Sequence, residues 1–484
     1  MAYLKDLLKQ VTYICTRGTM DCKVTHICHD SRQVVRGSMF ICLKGSREDG
    51  HDYLAQAIRK GAAVCVVSKH VWVEGDVTVI RVRNTSEAMA WIARNYYGAP
   101  AEAMQMIGIT GTKGKTTTAC MLYQMLKEAG VKCGLIGTLG VRRSDGLKKP
   151  GSNTTPDALV LQKELREMAD AGCSCCVMEV SSQGLKHYRV EGITFAIGIY
   201  TNLSMDHIGP GEHRSFREYA CCKKRLFEHS RMICINADDK YHGFMTANLE
   251  APVYTYGIEQ PCDVKAEHIV YERSSRGLNV TYQTTGWIKD EIVLKMPGTA
   301  NVYNSLAAME AAHLLGISPE TIRRTLRNVS VKGRIEEVRI SDKFDVVIDY
   351  AHNAASLESL IKTLRQYQPK RLVLLFGCGG NRSPLRRFQM GETAGKLSDV
   401  TILTSDNPRY EKPEAILSDI EQGMKRTKGK YKIIPDRREA ISYAISQAQE
   451  GDLIVVAGKG HEEDQEIEGH FYPMNEREMI ENSI

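Results

Sequence analysis

Short, unbroken apolar runs recur along this chain, and most of them stop at residues able to do chemistry. Met104 to Ile109 gives way to Thr110-Gly111-Thr112-Lys113-Gly114-Lys115-Thr116-Thr117, and apolar positions return at helical spacing from Ala119 to Leu126. A run of that length suits a buried strand, and the return at a period near 3.6 predicts a helix. Cys176-Val177-Met178 stops at Glu179-Val180-Ser181-Ser182, Ala196 to Tyr200 stops at Thr201-Asn202-Leu203-Ser204-Met205-Asp206-His207, and Ile233 to Ile235 stops at Asn236-Ala237-Asp238-Asp239. Ligands of a parallel sheet sit beyond the carboxyl ends of its strands, so three such endings after one glycine-rich loop predict a shared rim.

A second set follows Gly333-Arg334. Asp345 to Ile348 runs into Asp349-Tyr350-Ala351-His352-Asn353, and Leu372 to Phe376 into Gly377-Cys378-Gly379-Gly380-Asn381-Arg382. Val400 to Thr404 runs into Ser405-Asp406-Asn407-Pro408-Arg409, and Leu453 to Ala457 into Gly458-Lys459-Gly460-His461-Glu462. This predicts another doubly wound unit. Between the sets, Val264 to Met296 alternates as antiparallel strands do, and Asn301 opens a helix with amides at its start. Ahead of the first set, strand-like Met39 to Leu43 and Ala63 to Val67 flank the helical pattern Tyr53 to Ile58, and Tyr97-Gly98-Ala99-Pro100 marks a boundary. At about 150 residues per domain, 484 residues suggest three: 1–98, 99–332 and 333–484.

Composition narrows the class without changing this picture. Hydrophobic residues make up 43% and charged residues 25%, the balance of a globular protein, with no run of 18 apolar residues to span a membrane. Met1 to Lys9 alternates charge and leucine as a short amphipathic helix would and lacks a signal-peptide core, so a cytoplasmic protein is expected. Fifteen cysteines without zinc or redox spacing read as reduced, buried small hydrophobes. A net charge of +6 with no long basic block excludes a nucleic-acid arm and fits small anionic ligands.

The loop at Gly111 to Thr117 reads as a phosphate-binding loop. Gly111 and Gly114 let the backbone turn against a ligand, the helix N-terminus offers N–H groups to a polyphosphate, Lys115 adds a point charge, and Thr116 offers a hydroxyl to Mg2+. The strict G-x4-G-K-[ST] pattern is not met, because Ile109 stands at its first glycine. ATP is the expected ligand. Spacing alone reads Lys223 and Lys224 as an exposed pair on a helix face, and His207 equally as a structural histidine.

With Thr110 to Thr117, Met178-Glu179-Val180-Ser181-Ser182, Asp349-Tyr350-Ala351-His352, Asp406-Asn407-Pro408-Arg409 and Gly458-Lys459-Gly460-His461-Glu462 in this order, the chain resembles the Mur ligases from about Asp30 to Glu462. The resemblance implies an α/β fold of three domains: a small N-terminal α/β domain that grips the uridine diphosphate of a nucleotide sugar, a central P-loop-type ATPase domain, and a C-terminal Rossmann-like doubly wound domain that closes over both and brings the amino acid. It implies an ATP-dependent amide ligase that works through an acyl phosphate and adds meso-diaminopimelate to UDP-N-acetylmuramoyl-L-alanyl-D-glutamate, acting as a monomer on small molecules without nucleic-acid or membrane partners. L-Lysine or another third residue, or an ATP-binding regulatory relative without turnover, are the alternatives. The residues carried over fall into four sets. Lys115, Glu179, His207 and Lys223 are catalytic; Thr116, Glu179, His207 and Lys223, the last as a CO2-derived carbamate, meet Mg2+. ATP is bound by Gly111, Thr112, Lys113, Gly114, Lys115, Thr116, Thr117, Asn301, Arg334, Asp349 and His352. The UDP-sugar is bound by Ser31, Ser46, Arg47, Glu48, Asn153, Thr154, Thr155, Ser181, His187 and Arg189. Arg382, Asp406, Asn407, Pro408, Arg409, Gly458 and Glu462 form the amino-acid site, in which Pro408 sets the backbone and Arg409 is a guanidinium that lysine would leave unpaired, at a discrimination of roughly 10^4. Lys113, Gln183, His187, Asn353 and Asn381 depart from the usual family residues.

Overall fold

The computed structural model describes residues 2–45, 48–149, 151, 153–209, 211–274 and 277–483. The chain divides into two compact units, one of Met1–Val264 with Leu306–Thr321 and the other of Lys265–Ser305 with Ile322–Ile484. Among the described residues no helix is long and apolar enough to cross a membrane.

Besides a small pairing of Ala2–Tyr3 with Lys23–Val24, the first unit carries strands of two larger sheets. Its N-terminal sheet runs in the order Tyr13–Arg17, Thr78–Val82, Ala62–Val67, Ser38–Ile41, His26–Cys28, parallel except for the first pair. The middle strands are buried on both faces, which is why they read as continuous apolar runs. The N-terminal helix is confined to Leu4–Leu7, shorter than the Met1–Lys9 pattern suggested, and it still buries Leu4 and Leu7. Helix Thr85–Tyr96 starts at Asn84, whose side chain accepts from the Ser86 and Glu87 amides at 2.9 and 3.3 Å. Such a cap contributes about 1 kcal/mol. The helix stops where Gly98 and Ala99 take positive φ ahead of Pro100.

In the larger sheet, strand Gln105–Thr110 lies between Cys175–Glu179 and Phe195–Tyr200, parallel to both. Cys133–Gly137 extends the sheet beyond Cys175–Glu179, and Ser230–Asn236 and Val253–Gly257 extend it beyond Phe195–Tyr200. After Gln105–Thr110 the chain builds one side of the sheet and then the other, so the loops after these three central strands open on one edge at a topological switch point. Packing there is tight: a Cβ on Gly108 would lie 2.8 Å from both Phe195 and Leu226.

The second unit contains the alternating segment as strands Val264–Ser274, Gly277–Gly286 and Glu291–Leu294. Its six-stranded sheet runs Glu336–Glu337, Asp345–Asp349, Asp452–Ala457, Arg371–Phe376, Val400–Leu403, Lys430–Ile433. All neighbours are parallel except the first pair, and the polar endings again share one edge. A hairpin of Asp464–Ile467 and His470–Pro473 follows. Helix Thr299–Leu314 begins two residues before Asn301, which therefore lies inside the first turn and not at the cap.

Candidate active site

In the first unit, strand Gln105–Thr110 delivers the glycine loop and helix Lys115–Glu128 receives it. Gly111 has φ +149°, and a Cβ there would sit 1.9 Å from Thr201 Oγ1, so only glycine fits. Gly114, at φ +87°, starts the helix. The loop is tied from below: Thr201 Oγ1 donates to the Lys113 carbonyl at 2.6 Å, and the Lys113 amide donates to Asn202 Oδ1 at 3.0 Å. Lys115 Nζ donates to the Gly111 and Thr112 carbonyls at 2.9 and 3.1 Å. The result is a rigid rim of helix N-terminal N–H groups with one ammonium folded over it, an anion site by construction.

Glu179, at the carboxyl end of its strand, is 2% exposed. Its carboxylate accepts from Thr116 Oγ1 at 2.9 Å, the Thr138 amide at 2.8 Å and Thr138 Oγ1 at 3.2 Å. A buried carboxylate in a polar cradle beside a phosphate-type loop is a hard donor set. Thr116 and Glu179 supply one hydroxyl and one carboxylate, which fits Mg2+, an ion that takes one or two protein carboxylates and fills its remaining positions with phosphates and water. Among the described residues no three His, Cys, Asp or Glu side chains converge as metal ligands. His207 is exposed at φ +54° with Nδ1 3.0 Å from Glu212, and Asp206 faces Lys113 at 3.3 Å.

The two adjacent lysines separate. Lys223 is 1% exposed, donates to the Gly111 carbonyl at 2.7 Å and lies 4.6 Å over the Tyr219 ring. Lys224 reaches out to the Ala247 carbonyl. The exposed pair read from spacing is thus wrong for Lys223. Burial, and then the neighbouring Lys115 charge, push the Lys223 amine well below the ordinary lysine range. Two ammonium groups on a single carbonyl oxygen is a costly arrangement.

Thr154, Thr155, Ser181 and Arg189 form one network beside Glu179. Thr155 Oγ1 donates to the Glu179 carbonyl at 2.9 Å and to Ser181 Oγ at 3.2 Å, Arg189 donates to the Thr155 carbonyl at 2.8 Å, and Thr154 Oγ1 lies 3.1 Å from Thr138 Oγ1. Asn153, His187 and Glu48 are exposed. Ser31 is buried and bonded to Gln56 at 2.9 Å. Ser46 and Arg47 lie outside the described residues.

In the second unit, the loops after strands Arg371–Phe376, Val400–Leu403 and Asp452–Ala457 enclose a pocket lined by Arg382, Asp406, Asn407, Arg409, Gly458 and Glu462, and by Tyr350 and His352. Pro408 contributes behind the wall, where a Cβ on Gly380 would meet the Pro408 carbonyl at 1.8 Å. Asn407 Nδ2 donates to Glu462 at 2.8 Å. Three residues that sequence reasoning missed organise this pocket. Lys459, fully buried, donates to Asn407 Oδ1 at 2.8 Å and Glu462 at 3.2 Å. Arg387, 2% exposed, pairs with Glu411 and Asp419. Glu466 pairs with Arg409 at 2.8 Å. Lys459 stood inside the glycine-rich ending already singled out; Arg387, in the first turn of helix Pro384–Leu397, and Glu466, on the hairpin, carried no local signal.

Beside the pocket, Arg334 lies 4.8 Å over the Tyr350 ring and Asp349 accepts from the Ile335 and Ala351 amides. Burial raises the Asp349 carboxyl above its usual range, against the pull of Arg334. His461 packs on Tyr350 and is held neutral, burial and Arg334 lowering it to about 4. His352 Nδ1 lies 2.8 Å from the Tyr350 carbonyl, and Asn301, buried, donates to the Pro297 carbonyl at 2.8 Å.

Three family models match in chain order: Mur ligase family, catalytic domain, over residues 23–97; Mur ligase middle domain, over 109–312; and Mur ligase, glutamate ligase domain, over 333–460. The UDP-N-acetylmuramoyl-L-alanyl-D-glutamate--2,6-diaminopimelate ligase of Caldanaerobacter subterraneus subsp. tengcongensis is 41% identical over 482 residues, covering 99% of this chain and 98% of the relative. Its namesake in Geobacillus kaustophilus is 40% identical over 468 residues, 94% of each chain. A solved structure of a ligase of that name superposes with a TM-score of 0.69 at 30% identity, over 95% of this chain and 94% of the other. The MurF ligase of Thermotoga maritima in complex with ADP shares the fold, with a TM-score of 0.60 at 18% identity over 90% and 94%.

Proposed function

The chain belongs to the Mur ligase family, and from that premise we propose that it is the ATP-dependent ligase that adds meso-diaminopimelate to UDP-N-acetylmuramoyl-L-alanyl-D-glutamate in peptidoglycan precursor synthesis. The observation that carries the choice of amino acid is the pocket in which the Arg409 guanidinium and the Glu462 carboxylate line one cavity. Diaminopimelate has an amino acid at each end. While one amine reacts, the other end presents a carboxylate and an ammonium, which these two groups match; lysine has only the ammonium.

A free carboxylate resists attack by an amine because oxide would have to leave. Phosphoryl transfer from ATP converts it to an acyl phosphate, the amine adds to the carbonyl carbon, and phosphate departs with the C–O bond. Such catalysis is positioning and charge neutralisation. The loop N–H groups and Lys115 hold the β and γ phosphates. Thr116 and Glu179 would hold Mg2+, which when bound would supply Lewis-acid neutralisation of phosphate oxygens. His207 would be a further ligand to that ion. Lys223 is carbamylated: the ammonium first gives a proton to water, the amine nitrogen then adds to the carbon of CO2 as one C=O π bond opens onto oxygen, and a second proton leaves to water. The cation becomes an anion, which relieves the crowding of two ammonium groups at the Gly111 carbonyl. Thr154, Thr155, Ser181 and Arg189, joined in one network beside Glu179, bear the acidic substrate.

The test is phosphate release with the UDP dipeptide and a panel of amino acids. Because Glu466 already pairs with Arg409, lysine would not strand a bare guanidinium, and the preference expected from sequence shrinks. A charge-assisted hydrogen bond contributes about 1.5 to 3 kcal/mol, so diaminopimelate should exceed L-lysine in kcat/KM by about ten- to a hundredfold. Equal rates for the two, or no release with any amino acid, would overturn the reading.

A further inference from the structure

We propose that Glu466 is the positioning residue that aims Arg409, and so sets the preference for an amino acid bearing a second carboxylate; the inference rests on the diaminopimelate reading above. Arg409 holds φ +53°, a left-handed conformation that a residue with a side chain adopts only when its surroundings impose it. The hairpin strand Asp464–Ile467 imposes it. The Arg409 amide donates to the Glu466 carbonyl at 3.0 Å, and the Glu468 amide donates to the Arg409 carbonyl at 2.7 Å, so the arginine backbone is clasped on both sides.

The same hairpin residue then takes the side chain. Arg409 Nε donates to Glu466 Oε2 at 2.8 Å and Nη1 donates to the Gly380 carbonyl at 2.8 Å. Two of five guanidinium donors are used, and the plane of the group is fixed by bonds at two corners. The remaining three, among the described residues, are available to a carboxylate in the pocket that Arg409 lines. A guanidinium binds a carboxylate well only when its plane is correctly presented, so fixing the plane beforehand is what converts a cation into a selective one.

The hairpin is itself keyed to the loop it serves. Its Glu466 amide donates to Asn407 Oδ1 at 3.0 Å, Gln465 Nε2 donates to the Asp406 carbonyl at 2.6 Å, and buried Lys459 donates to the Asp464 carbonyl at 2.6 Å. Pro408 constrains one φ in the loop. It cannot orient the guanidinium, which four rotatable bonds separate from the backbone.

Two substitutions separate aim from charge. Glu466→Gln keeps an oxygen acceptor for Nε and loses the charge; Glu466→Ala loses both, and at 24% side-chain exposure neither is expected to unfold the chain, which a thermal melt checks. In Glu466→Ala, KM for diaminopimelate should rise roughly tenfold with kcat nearly kept and KM for ATP unchanged, and the L-lysine rate should fall by a smaller factor, because the Gly380 carbonyl still bonds the guanidinium. Glu466→Gln should stay within about threefold of the wild type. An unchanged diaminopimelate KM in Glu466→Ala, equal losses with both amino acids, or a Gln variant as impaired as the Ala variant would each overturn the proposal. A wild type that prefers diaminopimelate alongside an indifferent Glu466→Ala sinks this inference alone; a wild type with no such preference takes the functional reading down with it.

Discussion

Replacing Lys115 with alanine should lower ATP-dependent phosphate release by about 10^2 to 10^3-fold while the chain stays folded. The ammonium is half-buried at the start of helix Lys115–Glu128 and crosses back over the loop to two carbonyls. Its loss removes a charge placed where phosphoryl oxygens gather, and it also frees the loop to relax. Lysine carries no share of the apolar core there, since that face of the helix is filled by Ala119, Leu122 and Met125. Circular dichroism and a thermal melt should therefore change little. Near-normal release in a folded Lys115→Ala protein would end the phosphate-loop assignment. Glu179→Ala belongs with it, because the same carboxylate fixes Thr116 and Thr138.

The second large effect is expected at Lys223. Lys223→Ala should lose at least about a hundredfold in turnover, and a small carboxylic acid in solution should restore part of it by supplying the anion that the carbamate supplied. Lys224→Ala should be mild, because that side chain reaches outward to the exposed Ala247 carbonyl and over the exposed Phe244 ring. The pair is a stringent comparison: same residue type, adjacent positions, one under the loop and one outside. Equal tolerance of both, or a Lys223→Ala deficit that no carboxylic acid relieves, would count against the carbamate.

What could be read from sequence was whatever depends on neighbours along the chain. A buried parallel strand has to be continuously apolar, and its polar ending has to lie at the sheet edge, so Glu179, Asp349, Asp406 and Gly458 announced themselves. Lys223 was a misjudged signal and not a missing one. It falls four residues after Tyr219 and three before Leu226, on the buried stripe of its helix, while Lys224 falls off it. Arg409 illustrates the limit. Its presence in a pocket was legible from Asp406-Asn407-Pro408-Arg409, but the carboxylate that holds it comes from a hairpin more than fifty residues later, and only the folded register Arg409 to Ile467 brings them together. The same holds for Arg387, whose partners Glu411 and Asp419 sit on later elements.

The Gly111 carbonyl, with Thr201 pressed against its α-carbon and two lysines on its oxygen, also bears on how this enzyme could be inhibited and how it could escape. A backbone oxygen is present whatever the codon, and the only way to disturb it from within residue 111 is to add a side chain for which there is no room. A compound that competed for that oxygen would rest on a contact the protein cannot edit at its own position, so selection for resistance should return changes elsewhere and leave Gly111 intact.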